Sequence, residues 1–178
     1  RFGLQEHGDF VSDMLAVPDK HTMLITSGDG TLSAYDVRKG TIPYMSDQVQ
    51  DEFLSVALMK RGKKVVCGTR SGALSVFSYD RLGAPNDRVM GHPESVDSIV
   101  AVTDSLMCTG SSDGLIRVVS LHPNKLLGVV GQHISITLSY IDTKYSHVMN
   151  FCLFGFVLLF CISIPHISHT TTLFLDFY

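Results

Sequence analysis

The feature that most constrains this chain is a sequence pattern that recurs twice at an interval of 42 residues. Three glycines mark the interval: Gly30, Gly72 and Gly114. Each follows an aspartate or a serine and stands two positions before an aliphatic residue. A unit that repeats at this spacing cannot bury its apolar faces alone and has to stack on its neighbours. The sequence therefore predicts a repeat architecture.

Each repeat contains four segments of strand length that are separated by turn residues. An Asp-Gly pair between two apolar runs is a strong hairpin signal, because glycine accepts the positive φ that tight turns require. We therefore predict three antiparallel meanders, in units at about 7–46, 51–90 and 91–133. The predicted strands are 10–17, 21–27, 31–36 and 41–45, then 53–59, 65–69, 73–79 and 88–90, then 95–102, 105–110, 115–121 and 125–130.

Charge and cysteine usage exclude several classes of protein. The net charge of -3 gives no bulk electrostatic reason to expect binding to nucleic acid or to a membrane. Cys67, Cys108, Cys152 and Cys161 lack the spacing of a disulfide framework or a zinc site, which favours a reducing compartment. We expect no bound metal and no cofactor. Because the chain begins at Arg1, we expect the natural N terminus to lie upstream.

The repeat pattern ends near residue 133, so we divide the chain into a repeat segment at 1–133 and a non-repeat apolar tail at 134–178. The tail has three charged residues and six of the ten phenylalanines of the chain. Its run at 148–164 is nearly all apolar and has about the minimum length that spans a ~30 Å hydrocarbon core. Two hypotheses stay open for the tail: a membrane anchor, or sequence from read-through or an alternative last exon.

The motifs within the units resemble the WD-repeat family of β-propellers. In that family a histidine, a serine or threonine, and a turn aspartate form a buried hydrogen-bond network. His92, Ser111 and Asp113 fit this pattern in the third unit, and Ser27 and Asp29 hold the corresponding positions in the first. The resemblance implies an all-β partial propeller of about three four-stranded blades. We expect this network to be structural, so the chain has no predicted catalytic residues and is not expected to be an enzyme.

The chain departs from the family pattern in having no tryptophan. Tyr35, Phe77 and Val119 stand where the third-strand tryptophan is usual. A seven-bladed ring at this repeat length needs roughly 290 residues. We therefore expect an incomplete ring with exposed blade edges.

One motif occurs in the first unit alone. Tyr35, Asp36, Val37 and Arg38 resemble the Trp-Asp-x-Arg ending of WD-repeat proteins that dock on the damaged-DNA-binding adaptor of cullin-4 ubiquitin ligases. The resemblance implies that Tyr35, Asp36 and Arg38 bind a partner, since a guanidinium makes planar bidentate contacts that lysine cannot reproduce. An ordinary solvated strand end is an equally open interpretation.

A basic run at 60–64 also has two interpretations. It is either a solvated turn between the first two strands of the second blade or a patch for nucleic acid or nuclear import. The turn is favoured, because the run lies between two predicted strands.

Longer stretches at 62–69, 91–97, 110–119 and 122–128 resemble one branch of the WD-repeat family that is associated with the nucleus, the nucleolus and ribosomal RNA production. This resemblance implies a protein-interaction scaffold in the nucleus or nucleolus, with the cytoplasm as a second location. The scaffold would be a cullin-4 receptor or adaptor, a ribosomal RNA processing factor with pre-ribosomal partners, or both, without a small-molecule substrate. A membrane-anchored interaction module and a non-functional truncated splice product are the alternatives.

Overall fold

The computed structural model describes residues 7–132 and the backbone of three short strands at 137–140, 157–160 and 173–176. Residues 7–132 form twelve β-strands and one short 3-10 turn, Pro18–Lys20. The strands are β1 (Val11–Val17), β2 (Thr22–Ser27), β3 (Leu32–Asp36), β4 (Thr41–Met45), β5 (Phe53–Met59), β6 (Lys64–Thr69), β7 (Leu74–Ser78), β8 (Asp87–Val89), β9 (Val96–Ala101), β10 (Leu106–Ser111), β11 (Leu115–Ser120) and β12 (Lys125–Gln132).

The twelve strands form three antiparallel sheets of four strands each. In every sheet the neighbours in space are also neighbours in sequence, from β1 to β4, from β5 to β8 and from β9 to β12. We call these sheets blades 1, 2 and 3. The outer strand β4 contains Pro43, which an edge strand tolerates because only one side of it pairs. The predicted all-β meanders are therefore confirmed, and each predicted strand is present to within two residues at its ends.

The strand register repeats together with the sequence. In blade 1, Met14 lies opposite Ile25, and in blade 2 the residues 42 positions later, Val56 and Cys67, lie opposite each other. The first strand of each blade also pairs irregularly near the start, with a register shift between Val11 and Asp13 and corresponding shifts in blades 2 and 3. Such a bulge bends a strand and increases its twist. The three blades are thus copies of one structural unit.

The core lies between the blades. Blades 1 and 2 share a cluster of ten buried residues that includes Phe53 and Phe77, whose rings meet edge to face with centroids 5.9 Å apart. Blades 2 and 3 share a second cluster of eleven, among them Met59, Met107 and Val119. Burial of aliphatic and aromatic surface is worth about 25 cal/mol per Å², so the joints between blades carry most of the stabilisation.

The two ends of the arc differ in exposure. On the outer face of blade 3, Val100, Cys108 and Ile116 form a small buried cluster. On the outer face of blade 1, Val11 is 46% exposed and Met14 is 51% exposed. Exposed apolar residues nevertheless occur on both terminal blades, because Leu127, Val129 and Val130 of β12 are also about half exposed.

The C-terminal strands form a separate sheet. Strands β13 (Thr137–Tyr140), β14 (Val157–Phe160) and β15 (Leu173–Asp176) pair in the order β13-β15-β14, so the region does not continue the sequential meander of the blades. Strand β13 lies beside β9 and β10. Most of the run at 148–164 lies outside the described residues. Among the residues that the structure does describe, no helix has the length and apolar character that crossing a membrane requires.

The connectors between blades explain why glycine recurs at the repeat interval. Gly30 and Gly72 have φ of 77° and 83°, in the region that favours glycine. A Cβ on Gly72 would lie 2.4 Å from the carbonyl oxygen of His92 and 2.6 Å from that of Glu94. A Cβ on Gly30 would meet the carbonyl oxygens of Val49 and Asp51 in the same way. The chain entering each next blade therefore passes directly over this turn.

We expect Gly72→Ala to destabilise the chain, because both the left-handed backbone and the close carbonyls oppose a side chain. The left-handed conformation alone costs roughly 1–2 kcal/mol for an L-residue. The free energy of unfolding from urea denaturation measures the effect. Gly83→Ala is the matched control, since a Cβ there would have its nearest contact at 4.0 Å. Equal stability of the two variants would contradict this account of the connector.

Candidate protein-interaction surface

The meander topology separates the loops into two faces. Turns between second and third strands lie on the same side of the arc as the connectors between blades, and all other turns lie on the opposite side. The upper face consists of turns 28–31, 70–73 and 112–114 with connectors 46–52 and 90–95. The lower face consists of turns 18–21, 37–40, 60–63, 79–86, 102–105 and 121–124.

A hydrogen-bond network closes the upper face of blade 1. The His7 imidazole contacts the Thr31 hydroxyl through Nδ1 at 2.9 Å and the Ser33 hydroxyl through Nε2 at 2.8 Å. Thr31 donates to Asp29 Oδ1 at 2.6 Å, and the Asp29 backbone N–H donates to Ser27 Oγ at 3.2 Å. Burial acts to raise the pKa of Asp29, but the hydrogen bonds from Thr31, Gly8 and Ser27 together hold it below its ordinary value. Ser27 and Asp29 thus belong to one network with His7.

Blade 3 builds a related network with different partners. His92 Nε2 lies 2.8 Å from Thr109 Oγ1, so the hydroxyl on the second strand that meets the histidine is Thr109 rather than the predicted Ser111. Thr109 and Ser111 point to the same side of β10, because side chains alternate along a strand, and Thr109 lies deeper in the blade. Ser111 donates to the Glu94 carbonyl at 3.5 Å and also hydrogen-bonds the Asp113 carboxylate, so it shares a network with Asp113 but does not contact the histidine. Burial lowers the pKa of His92, and the Arg117 charge lowers it further.

Asp113 is paired with an arginine in the same blade. Arg117 donates from Nη1 to Asp113 Oδ1 at 3.0 Å and from Nη2 to Oδ2 at 2.5 Å. This bidentate pair is nearly buried, with 8% of the Arg117 side chain and 13% of the Asp113 side chain exposed. The Arg117 hydrogen bonds lower the pKa of Asp113 to about 2. Sequence reasoning missed Arg117, because serine stands at the corresponding position of the other two blades, as Ser33 and Ser75.

Blade 2 has Ser71 where the other blades have the turn aspartate, and it obtains its carboxylate from the connector. The Ser71 hydroxyl donates to Asp51 Oδ2 at 2.5 Å, and its backbone N–H donates to Oδ1 at 3.2 Å. Arg88 Nη2 completes the group at 2.9 Å from Asp51 Oδ2. Asp51 does not lie at the repeat position of the turn aspartate, so the spacing of the sequence gave no signal for it. Each blade therefore keeps one carboxylate at its upper turn.

An open groove of about 420 Å³ lies between the upper turns of blades 1 and 2. Its carboxylates are already engaged: Asp51 pairs with Arg88 as above, and Glu52 pairs with Arg70 at 2.8 Å. Within the described part of the chain, no group of three or more His, Cys, Asp or Glu side chains could hold a metal ion. The carboxylates Asp51 and Glu52 that line the groove are thus already paired within the chain.

The motif at the end of β3 lies on the lower face. Asp36 Oδ1 accepts hydrogen bonds from the backbone N–H groups of Arg38 at 2.9 Å and Lys39 at 3.1 Å. The hydrogen bond from Lys39 is the largest influence that lowers the pKa of Asp36. Val37 is 48% exposed and the Arg38 side chain is exposed, without a hydrogen bond or ion pair to any described residue. Tyr35 is half-buried on β3. Asp36 therefore shapes the turn, whereas Val37 and Arg38 project from it.

The Asp113 to Arg117 pair predicts a pH dependence of stability. The folded pKa of Asp113 lies below its unfolded value, so the pair stabilises fully above about pH 5 and less as the pH falls towards about 2. We expect Asp113→Asn to flatten this part of the stability profile, measured by urea denaturation at several pH values. Exposed Glu94→Gln is the control and should keep the wild-type profile. An unchanged profile in Asp113→Asn would refute the role of the pair.

Comparison with known proteins agrees with this architecture. WD repeat-containing protein 55 of Mus musculus is 42% identical over 130 residues, covering 73% of this chain and 34% of the mouse protein. WD repeat-containing protein JIP5 of Cryptococcus neoformans var. neoformans serotype D is 44% identical over 131 residues, covering 72% and 35%. A crystal structure of RRP9 WD40 repeats superposes with a TM-score of 0.66 at 16% identity, covering 73% of this chain and 41% of that chain. No protein-family model matches the sequence.

The chain spans about a third of the length of the curated relatives that it matches. The low identity to the solved structure means that it shows the fold alone. Sequence and fold nevertheless agree on the same repeat. The chain therefore forms three blades of a β-propeller with the fold of WD40 repeats, and it is similar in sequence to WD repeat-containing protein 55.

Proposed function

We propose that this chain is a non-catalytic interaction scaffold that docks on the damaged-DNA-binding adaptor of cullin-4 ubiquitin ligases through turn 37–40. The observation that carries the proposal is the exposed Arg38 side chain, whose guanidinium has no hydrogen-bond or ion-pair partner among the described residues. A guanidinium in this position is available for bidentate contacts to a partner's carboxylates or carbonyls. Tyr35, Asp36 and Arg38 are the residues that the proposal assigns to partner binding.

The local geometry supports a docking role for this turn. Asp36 fixes the backbone through two hydrogen bonds to its carboxylate, and the Gly40 N–H donates to the Asp36 carbonyl at 2.9 Å. A turn that is ordered before binding loses less conformational entropy when the partner arrives. Val37 adds exposed apolar surface next to Arg38. Arginine beside apolar surface is typical of the residues that dominate binding energy in protein interfaces.

The motif is confined to one blade. The residues at the Arg38 position in the other units are Asp80 and His122, so neither presents a guanidinium there. A purely structural role in the blade would be expected to recur in every repeat, whereas a partner contact need occur only once. This difference favours the docking interpretation over a solvated strand end.

A second candidate is a scaffold in pre-ribosomal assembly, located in the nucleus or nucleolus. It is favoured by the 42% identity to WD repeat-containing protein 55, which extends over the stretches that resemble the nucleolar branch of the family. The two candidates are compatible, because a propeller offers several faces to different partners.

We expect Arg38→Ala to weaken binding to the purified cullin-4 adaptor at least about tenfold, because truncating a hot-spot arginine costs about 2 kcal/mol or more. Arg38→Lys should fail to restore the affinity, because lysine lacks the planar fork. Biolayer interferometry with immobilised adaptor measures both variants.

Lys39→Ala is the matched control, since Lys39 is also exposed and lies on the same turn. It should bind within about twofold of wild type. Unchanged affinity in Arg38→Ala would remove the cullin-4 proposal and leave the pre-ribosomal candidate untouched.

A further inference from the structure

Positive charge is concentrated on the lower face of blades 1 and 2, although the net charge of the whole chain is -3. Turns 18–21, 37–40 and 60–63 together carry six lysine and arginine side chains and one acidic residue, Asp19. The six cationic residues are Lys20, Arg38, Lys39, Lys60, Arg61 and Lys63. We call these three turns the basic surface. The upper connector at 46–52 has the opposite composition, with three acidic residues and no basic one.

The three turns of the basic surface touch one another. The Val37 backbone N–H donates to the His21 carbonyl at 3.0 Å, which joins turns 37–40 and 18–21. Lys20 Nζ donates to the Gly62 carbonyl at 3.2 Å, which joins blade 1 to blade 2. The same ammonium lies 3.2 Å from the centroid of the Tyr79 ring. Residues far apart in sequence thus form one continuous surface.

Most of this charge is not neutralised within the described part of the chain. Arg61 pairs with Asp104 at 2.7 Å, but its side chain remains 85% exposed. Lys60 and Lys63 form no ion pair with any described residue, and Lys63 is exposed. The Lys63 ammonium group is therefore available to an external anion, and the charge of the half-buried Lys60 is likewise not balanced by an ion pair within the described residues.

The backbone of the 60–63 turn is unusual for these residue types. Lys60 and Arg61 have φ of 53° and 55°, the left-handed region in which glycine and asparagine are favoured. A turn that serves only to connect β5 and β6 would be less strained with those residues. Two long cationic side chains at strained positions suggest that the side chains themselves are used.

We propose that the basic surface binds the phosphate backbone of a nucleic acid. Lysine and arginine that neutralise phosphates release counterions, and this term needs charge and contiguity rather than a shaped apolar pocket. Turn 60–63, which carries the lysines to be tested, contains no hydrophobic residue, whereas a protein partner is usually anchored by buried aromatic or aliphatic groups. The observations therefore favour phosphate over an acidic protein. The basic surface shares turn 37–40 with the proposed cullin-4 contact, so the test changes Lys60 and Lys63 and leaves Arg38 as it is, which keeps the failure of one proposal distinguishable from the failure of the other.

The test is fluorescence anisotropy of a labelled 20-nucleotide single-stranded RNA, titrated with the chain at several salt concentrations. The variant is Lys60→Gln with Lys63→Gln, which removes two charges. Removing two phosphate contacts should make the slope of log K against log salt shallower by about 1.4 and weaken binding roughly 20-fold near 0.1 M salt. Arg70→Glu changes the charge equally on the upper face and should bind within about twofold of wild type. Circular dichroism verifies that all variants are folded.

Two further ligands, DNA and polyglutamate, show whether the surface recognises phosphate, RNA in particular, or any polyanion. DNA of the same sequence should bind through the same lysines if phosphate alone is recognised, and a preference for RNA would add a contact to the 2′-hydroxyl. Polyglutamate of equal charge should bind more weakly. The proposal is overturned if RNA does not bind with salt dependence, if Arg70→Glu loses as much affinity as the lysine variant, or if polyglutamate binds as tightly through the same lysines.

Discussion

The structure depends on one constraint: every blade is a sheet with two apolar faces, and both have to be covered. The residue pairs that meet between blades are set by the repeat. The face that blade 2 turns to blade 1 includes Phe53, Val65 and Phe77, and the face that it turns to blade 3 includes Met59, Val66 and Val76. Because successive side chains on a strand point to opposite faces, a continuous apolar strand is what a central blade requires. Stacking is therefore a condition for folding, not a later assembly step.

The same repeat relationship accounts for the two ends of the arc. Val11, Met14 and Tyr35 stand 42 residues before Phe53, Val56 and Phe77, so blade 1 presents outwards the kind of face that blade 2 buries. At the other end, the small cluster of Val100, Cys108 and Ile116 corresponds to the face that blade 2 turns to blade 3. Both outer faces thus carry residues at the repeat positions that are buried between blade 2 and its neighbours. This agrees with a segment of a larger ring.

On the upper face, all three blades place a carboxylate at the same turn, but each blade provides it with different hydrogen-bonding or charged partners. A carboxylate lies at each upper turn, but its partner is His7 with Thr31 in blade 1, Arg88 in blade 2 and Arg117 in blade 3. A carboxylate that is largely removed from water needs hydrogen bonds or an opposite charge, and any donor that reaches it serves. The lower turns carry no such network at each repeat, so their exposed side chains are free to differ between blades.

The sequence by itself determined the fold class, the twelve strands and the repeat, because alternating apolar residues and Asp-Gly turns act locally and recur at a fixed interval. It also singled out Asp36 and Arg38, two positions apart at one turn, as the proposed partner contact. Only the tertiary structure decided that Asp51 supplies the carboxylate of blade 2, that Thr109 meets His92, and that Arg117 neutralises Asp113. The structure alone also joined Lys20 to the turn of Lys60 and Lys63. These relationships connect residues from different strands, connectors or blades, and their distances are set by the packing of the sheets rather than by any spacing along the chain.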